Sequence, residues 1–118
     1  MAAHNDLGRQ GEEIAAAYLI QKGHKILSRN YRYEKAEVDI ISMYAETVVF
    51  AEVKTRSTER YGYPEESVSD KKKELLRSAM DHYLTENNIK EEARFDIISV
   101  VINAQGTDVH HIEDAFYH

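Results

Sequence analysis

Glu37-Val-Asp39-Ile-Ile-Ser-Met-Tyr44, then Ala45-Glu46, then Thr47-Val-Val-Phe-Ala-Glu52-Val-Lys54-Thr-Arg56 is the stretch that decides the fold. Two runs rich in β-branched and aromatic residues flank a two-residue interval, the pattern of a β-hairpin with strands over 37–44 and 47–55. Such strands belong in the centre of a sheet. Charge is costly to bury there unless it is paired or metal-bound, so an acid at Asp39 and a Glu-x-Lys at Glu52 and Lys54 call for a chemical reason.

Outward from the hairpin, the spacing of Leu7, Ile14, Ala15, Tyr18 and Leu19 predicts a helix over 6–23, opened by Asn5 or Asp6 and closed by Gly23. Residues 25–33 read as a first strand. Residues 56–66 are polar, include Gly62 and the only proline, Pro64, and predict a mobile loop. Ser67 or Ser69 can cap a second helix running to about Glu86, with Val68, Leu75, Leu76, Ala79, Met80, Tyr83 and Leu84 on its apolar stripe. Arg94 to Asn103 reads as a buried strand, and Val109 to Ile112 as an edge strand. The order α-β-β-β-α-β-β describes an α/β sandwich around a mixed sheet.

At 118 residues, without repeats or low-complexity segments, the chain is expected to form one domain, 1–118. The absence of cysteine fits a reducing cytoplasm. No apolar run approaches the roughly 18 residues of a membrane span, and the N-terminus lacks the features of a signal peptide, so a soluble cytoplasmic protein is expected. The net charge of −6 opposes non-specific binding to phosphate. The charge is unevenly distributed, however. Lys22, Lys25, Arg29, Arg32 and Lys35 form one basic stretch. Lys54, Arg56, Arg60, Lys71, Lys72, Lys73 and Arg77 supply a second, mixed with acids, while residues 78–118 have only Lys90 and Arg94. Each stretch also reads as a solvated face. Arg56, Arg60, Lys72, Lys73 and Arg77 are the candidate nucleic-acid contacts.

A turn centred between Ala45 and Glu46 sets Asp39 across from Glu52 and Glu37 across from Lys54. Alternation then places these side chains and Arg56 on one face of the sheet. Carboxylates facing each other at about 5 Å repel, and a hard divalent cation such as Mg²⁺ with oxygen ligands and retained waters relieves them. Such a cation activates water for attack on a phosphodiester, with Lys54 placed to orient the nucleophile and offset developing charge. The competing reading is a buried ion-pair network that only fixes register. It accounts for a lysine facing one carboxylate, but not for three carboxylates converging on one lysine.

Asp39 followed by Glu52-Val-Lys54 resembles the Asp…Glu-x-Lys signature of the restriction-endonuclease-like nuclease superfamily. The wider set is Gly8-x-x-Gly11-Glu12-x-x-Ala15, Tyr18-Leu19, Asn30-Tyr31, Glu37-Val-Asp39-Ile-Ile, Val49-Phe50-Ala-Glu52-Val-Lys54-Thr-Arg56, Arg94-Phe95-Asp96 and Ala115-Phe116. It closely resembles the bacterial YraN-like (UPF0102) family across almost the whole chain. The resemblance implies a restriction-endonuclease-like three-layer sandwich, similar to archaeal Holliday-junction resolvases. It further implies Asp39 and Glu52 as ligands of Mg²⁺ or Mn²⁺, Lys54 beside them, and a helix-borne acid matched by Glu12. Glu12 also lies on the inward stripe with Ala15 and Leu19, whereas Glu13 falls on the flank. Glu37 matches an acidic family position and is a further candidate ligand. Ala36 and Ala45 stand where the family commonly has glycine, which bears on local backbone geometry. Lys71 and Lys72 compete for a basic position in the second helix, and helical spacing from Val68 favours Lys72.

Other residues carry less. His110 and His111 alternate to opposite faces and form no recognisable zinc set. Tyr61 and Tyr63 in the loop could stack on bases, whereas Tyr18, Tyr31 and Tyr83 read as core or core-edge. Arg94 and Asp96 read as a charge pair at the sheet edge. The leading expectation is a metal-dependent nuclease acting on DNA through Asp39, Glu52, Lys54 and Glu12. The alternatives are a non-cleaving nucleic-acid-binding or partner-recruiting module and a purely structural interaction domain. A resolvase-like role requires two active sites and hence a homodimer.

Overall fold

The computed structural model describes residues 2–57 and 69–117. Its elements are α1 (Ala2–Gln21), β1 (Lys25–Tyr33), β2 (Ala36–Tyr44), β3 (Thr47–Arg56), α2 (Asp70–Glu86), β4 (Glu92–Asn103) and β5 (Gly106–Ile112), followed by a 3₁₀ turn at Ala115–Tyr117. This is the predicted order, in a five-stranded sheet arranged β1-β2-β3-β4-β5. Only β3 and β4 run parallel, so the sheet is mixed, and α2 is the crossover that the parallel pair requires.

The two helices lie on opposite faces because β3 alternates. Val48 and Phe50 pack with Leu76, Met80 and Tyr83 of α2, whereas Ala51 and Val53 pack with Ala15, Ala16 and Leu19 of α1. Each helix buries one apolar stripe and leaves the other side to solvent. The result is helix, sheet, helix in three layers.

Two helix ends behave differently. Helix α1 begins at Ala2, so Asn5 and Asp6 lie within it and do not open it; the preceding alanines favour helix, and a capping residue is a preference and not a barrier. Its end is as expected. Gly23 at φ +104° lets the Gly23 and His24 amides bond the Ile20 and Leu19 carbonyls at 3.0 and 2.9 Å, a Schellman closure. Helix α2 starts after Ser69, whose side chain accepts from the Lys72 amide at 3.2 Å. Ser67, Val68 and the loop residues Arg60, Tyr61 and Tyr63 lie outside the described residues.

The two alanines at glycine-like positions differ. Ala36 sits in ordinary strand backbone opposite Tyr33 and needs no glycine. Ala45 takes φ +54° in the hairpin turn, a left-handed conformation unfavourable to a β-carbon.

Gly11 is the close-approach point between layers: a β-carbon there would collide with the Thr55 side chain on β3. The absent side chain lets α1 lie directly against the end of β3 and delivers the next residue, Glu12, toward the sheet. Gly11→Ala is therefore expected to lower stability by about 2 kcal/mol through overpacking. A urea midpoint equal to that of the wild type would show that α1 has room to shift.

Candidate functional site

The hairpin register is the one expected. Tyr44 pairs with Thr47, Met43 with Val48, Ser42 with Val49, Ile41 with Phe50 and Ile40 with Ala51. There the pairing ends, one position short of Asp39 and Glu52. Beyond it β3 continues to pair with β4 as far as Arg56, while β2 stays with β1. The strands part, and the Val53 amide loses its ladder partner. Asp39 replaces that partner, its Oδ2 accepting from Val53 N at 2.7 Å.

The parting corrects the single-face expectation. Val38 belongs to the α2-side core and Ile40 to the α1-side core, although residues two apart on a regular strand share a face. The alternation breaks at Asp39. Glu52 and Lys54 follow Phe50 on the α2 side, where Lys72 of α2 meets Glu52. Glu37, next to Val38, turns to the other side and reaches Arg32 of β1 at 3.5 Å instead of Lys54. Asp39 stands edge-on in the gap between the two groups.

Helix α1 closes the gap from its own side. The side chain of Glu12 is 28% exposed and that of Glu13 66%, in line with the inward position read for Glu12. Arg29 of β1 bridges both, 3.9 Å from Glu12 and 3.2 Å from Glu13. Sequence reasoning leaves Arg29 outside the site. Its signal lies in the pairing of β1 with β2, which sets Arg29 opposite Ile40, beside Asp39.

Four acids thus surround the break. Burial, together with the negative charges of Glu12, Glu52 and Glu37, pushes Asp39 from 3.8 up to about 6 against the lowering effect of the Val53 amide. Burial also raises Glu12, with Glu37 and Glu13 adding to it and Arg29 opposing. Burial alone would raise Glu52 as well, but hydrogen bonds and charge from Lys54 and Lys72 outweigh it and hold the group low. Lys54 and Lys72 both donate to Oε2, at 2.8 and 2.9 Å. Oε1 is buried and has no hydrogen-bond partner among the described residues.

This donor set suits a hard cation. It offers only oxygen ligands, a carboxylate destabilised by its neighbours, and an orphaned carboxylate oxygen. Among the described residues no three His, Cys, Asp or Glu side chains gather closely enough to hold a metal by themselves. Asp39 and Glu52 are the pair on hand, and water or substrate oxygens would complete the shell, as is usual for Mg²⁺.

The proposed nucleic-acid contacts divide. Lys72 enters the site, and Arg56 lies on the Lys54 side of β3 by alternation. Lys73 and Arg77 turn elsewhere: Lys73 donates to the Phe116 carbonyl at 3.2 Å, and the Arg77 guanidinium stacks 4.7 Å from the Phe116 ring.

Arg94 and Asp96 do pair, but not at a sheet edge. β4 is covered by β5, and fully buried Asp96 accepts from Arg94 at 2.9 and 3.1 Å, from the Asp114 amide at 3.1 Å, and bonds His111 at 2.7 Å. His111 also bonds the Tyr18 hydroxyl at 3.1 Å, so this network ties α1, β4, β5 and the C-terminal turn together. His110 points away and is exposed.

The model of the uncharacterised protein family UPF0102 matches residues 11–100, which include every residue of the site. The chain belongs to the UPF0102 family. A UPF0102 protein of Christiangramia forsetii is 49% identical over 118 residues, covering 100% of this chain and 99% of the relative. UPF0102 proteins of Phocaeicola vulgatus and Flavobacterium psychrophilum are 44% and 43% identical, over 99% and 100% of this chain and 97% and 99% of their own lengths. Among the described residues no helix is long and apolar enough to cross a membrane.

Asp39 ionised in this setting works against folding. Its folded value lies above its unfolded value, so the Asp39 contribution to stability is fully present below about pH 4 and is lost as pH rises through about 6. An asparagine in its place would keep an acceptor for the Val53 amide without the charge. Asp39→Asn is therefore expected to exceed wild type in stability by about 2 kcal/mol at pH 8, with the difference vanishing near pH 4. Urea unfolding at the two pH values measures this, and a variant less stable than wild type at pH 8 would refute the cost of burying the Asp39 charge among its acidic neighbours.

Proposed function

We propose that the chain is a divalent-cation-dependent nuclease that hydrolyses phosphodiester bonds in DNA, built on a restriction-endonuclease-like sandwich. The observation that carries this reading is the parting of β2 and β3 at a destabilised carboxylate, Asp39, within the field of Glu52, one oxygen of which has no hydrogen-bond partner among the described residues. A buried ion-pair network built only for stability would leave neither.

Asp39 and Glu52 hold the cation in this proposal, Asp39 fixed by the Val53 amide and Glu52 by Lys54 and Lys72. Mg²⁺ or Mn²⁺ at such a site supplies positive charge to the phosphate and lowers the pKa of an attacking water. Lys54 orients that water and stabilises the charge that builds on the non-bridging oxygens. Glu12 and Glu37 lie farther out, each beside an arginine, and serve to keep Asp39 proton-hungry until a cation arrives. Hydrolysis joins the water oxygen to phosphorus and breaks one phosphorus–oxygen ester bond; the water proton passes to solvent, and the leaving oxygen takes a proton from solvent.

DNA is the substrate class the reading favours, and branched DNA comes first because the nuclease-like fold that the family resemblance implies is similar to that of archaeal Holliday-junction resolvases. A junction-cutting role also requires a homodimer. The test is cleavage of four-way, flapped and single-stranded DNA with Mg²⁺ or Mn²⁺. Asp39→Ala and Lys54→Ala are each expected to lose about 10²-fold or more in rate. Cleavage by both variants equal to wild type would refute the assignment, and DNA binding without cleavage or metal uptake would favour a binding module.

A further inference from the structure

Glu52 is gripped unequally. Both lysines converge on Oε2, and Oε1 is left buried without a hydrogen-bond partner among the described residues. Two ammonium groups on one carboxylate leave the trio with an excess positive charge. A dication arriving at Oε1 is therefore repelled by both lysines, and the repulsion drops when one of them leaves.

The two lysines are not equivalent. Lys54 sits on the same strand as Glu52, two residues along, with its side chain 28% exposed. Lys72 comes from α2, and its side chain is 37% exposed. The Ser69 cap fixes the Lys72 backbone, so the four-carbon stem can swing the ammonium without moving the helix.

We propose that Lys72 is a positioning residue that trades partners, clamping Glu52 when the acidic site has no cation and leaving it for a substrate phosphate when the cation binds. This rests on the metal-dependent reading above. Lys72 then acts as a brake on metal binding in the absence of nucleic acid. The phosphate gives the displaced ammonium a new counter-charge, so metal and DNA each favour the binding of the other. That coupling is a property of one side chain on a separate element from the two proposed ligands.

The test is calorimetric titration of Mn²⁺ into the full-length wild type, Lys72→Met and Lys72→Arg. Each is measured alone and with a four-way DNA junction carrying non-hydrolysable methylene-phosphonate linkages. Without DNA, Lys72→Met is expected to bind Mn²⁺ about fivefold more tightly than wild type. DNA is expected to tighten Mn²⁺ binding about fivefold in wild type, to do so in Lys72→Arg, and to do so less in Lys72→Met, where only direct contact of phosphate with the cation remains. A Lys72 that only braces the fold would not tighten metal binding when removed. Wild type that binds Mn²⁺ while Lys72→Met binds it equally or more weakly overturns the exchange and leaves the metal reading standing. Wild type that takes up no Mn²⁺ overturns both.

Discussion

The bond from the Val53 amide to the Asp39 carboxylate is the contact on which the site depends. Where β2 and β3 stop pairing, a backbone donor must find another acceptor or remain unsatisfied near the core. Asp39 fills that role from within the gap. Satisfying the donor places a carboxylate between two helical layers, within the field of Glu12 on one side and Glu52 on the other. The fold gains a saturated amide and accepts a repulsive charge. That exchange is unfavourable for a purely structural strand, and it is what a cation site requires.

The surrounding charges sort by layer. On the α1 side Arg29 steadies Glu12 and Glu13, and Arg32 steadies Glu37. On the α2 side Lys54 and Lys72 overcompensate Glu52. Asp39 is instead pushed up to about 6, by burial first and then by the charges of Glu12, Glu52 and Glu37. On the neighbouring strand, opposite Ala51, Asp96 shows what a stabilised buried carboxylate looks like: burial raises it, but bonds from His111, Arg94 and the Asp114 amide overcome that and hold it low.

Much of this was legible in the residues. The order of elements follows from hydrophobic period and turn chemistry, and the hairpin register follows from a two-residue turn at Ala45 and Glu46. Helical spacing separates Glu12 from Glu13. What periodicity could not supply was its own failure: strict alternation puts Glu37, Asp39, Glu52 and Lys54 on one face, and the break at Val38–Ile40 sends them to two. Helical spacing from Val68 also singles out Lys72, whereas Arg29 reaches the site through tertiary packing of β1, which no local pattern encodes. The turn of Lys73 and Arg77 toward Phe116 has the same origin, since the C-terminal turn is brought beside α2 only by the completed sheet.

The central claim is that the gap between β2 and β3 is a cation site. Anomalous diffraction from a crystal soaked in Mn²⁺ tests it directly. The account predicts one peak between the Asp39 carboxylate and Glu52 Oε1, at the roughly 2.1–2.2 Å separations of a small hard cation. Mn²⁺ at saturating concentration with no peak there, and with Lys54 and Lys72 still seated on Glu52, would contradict it.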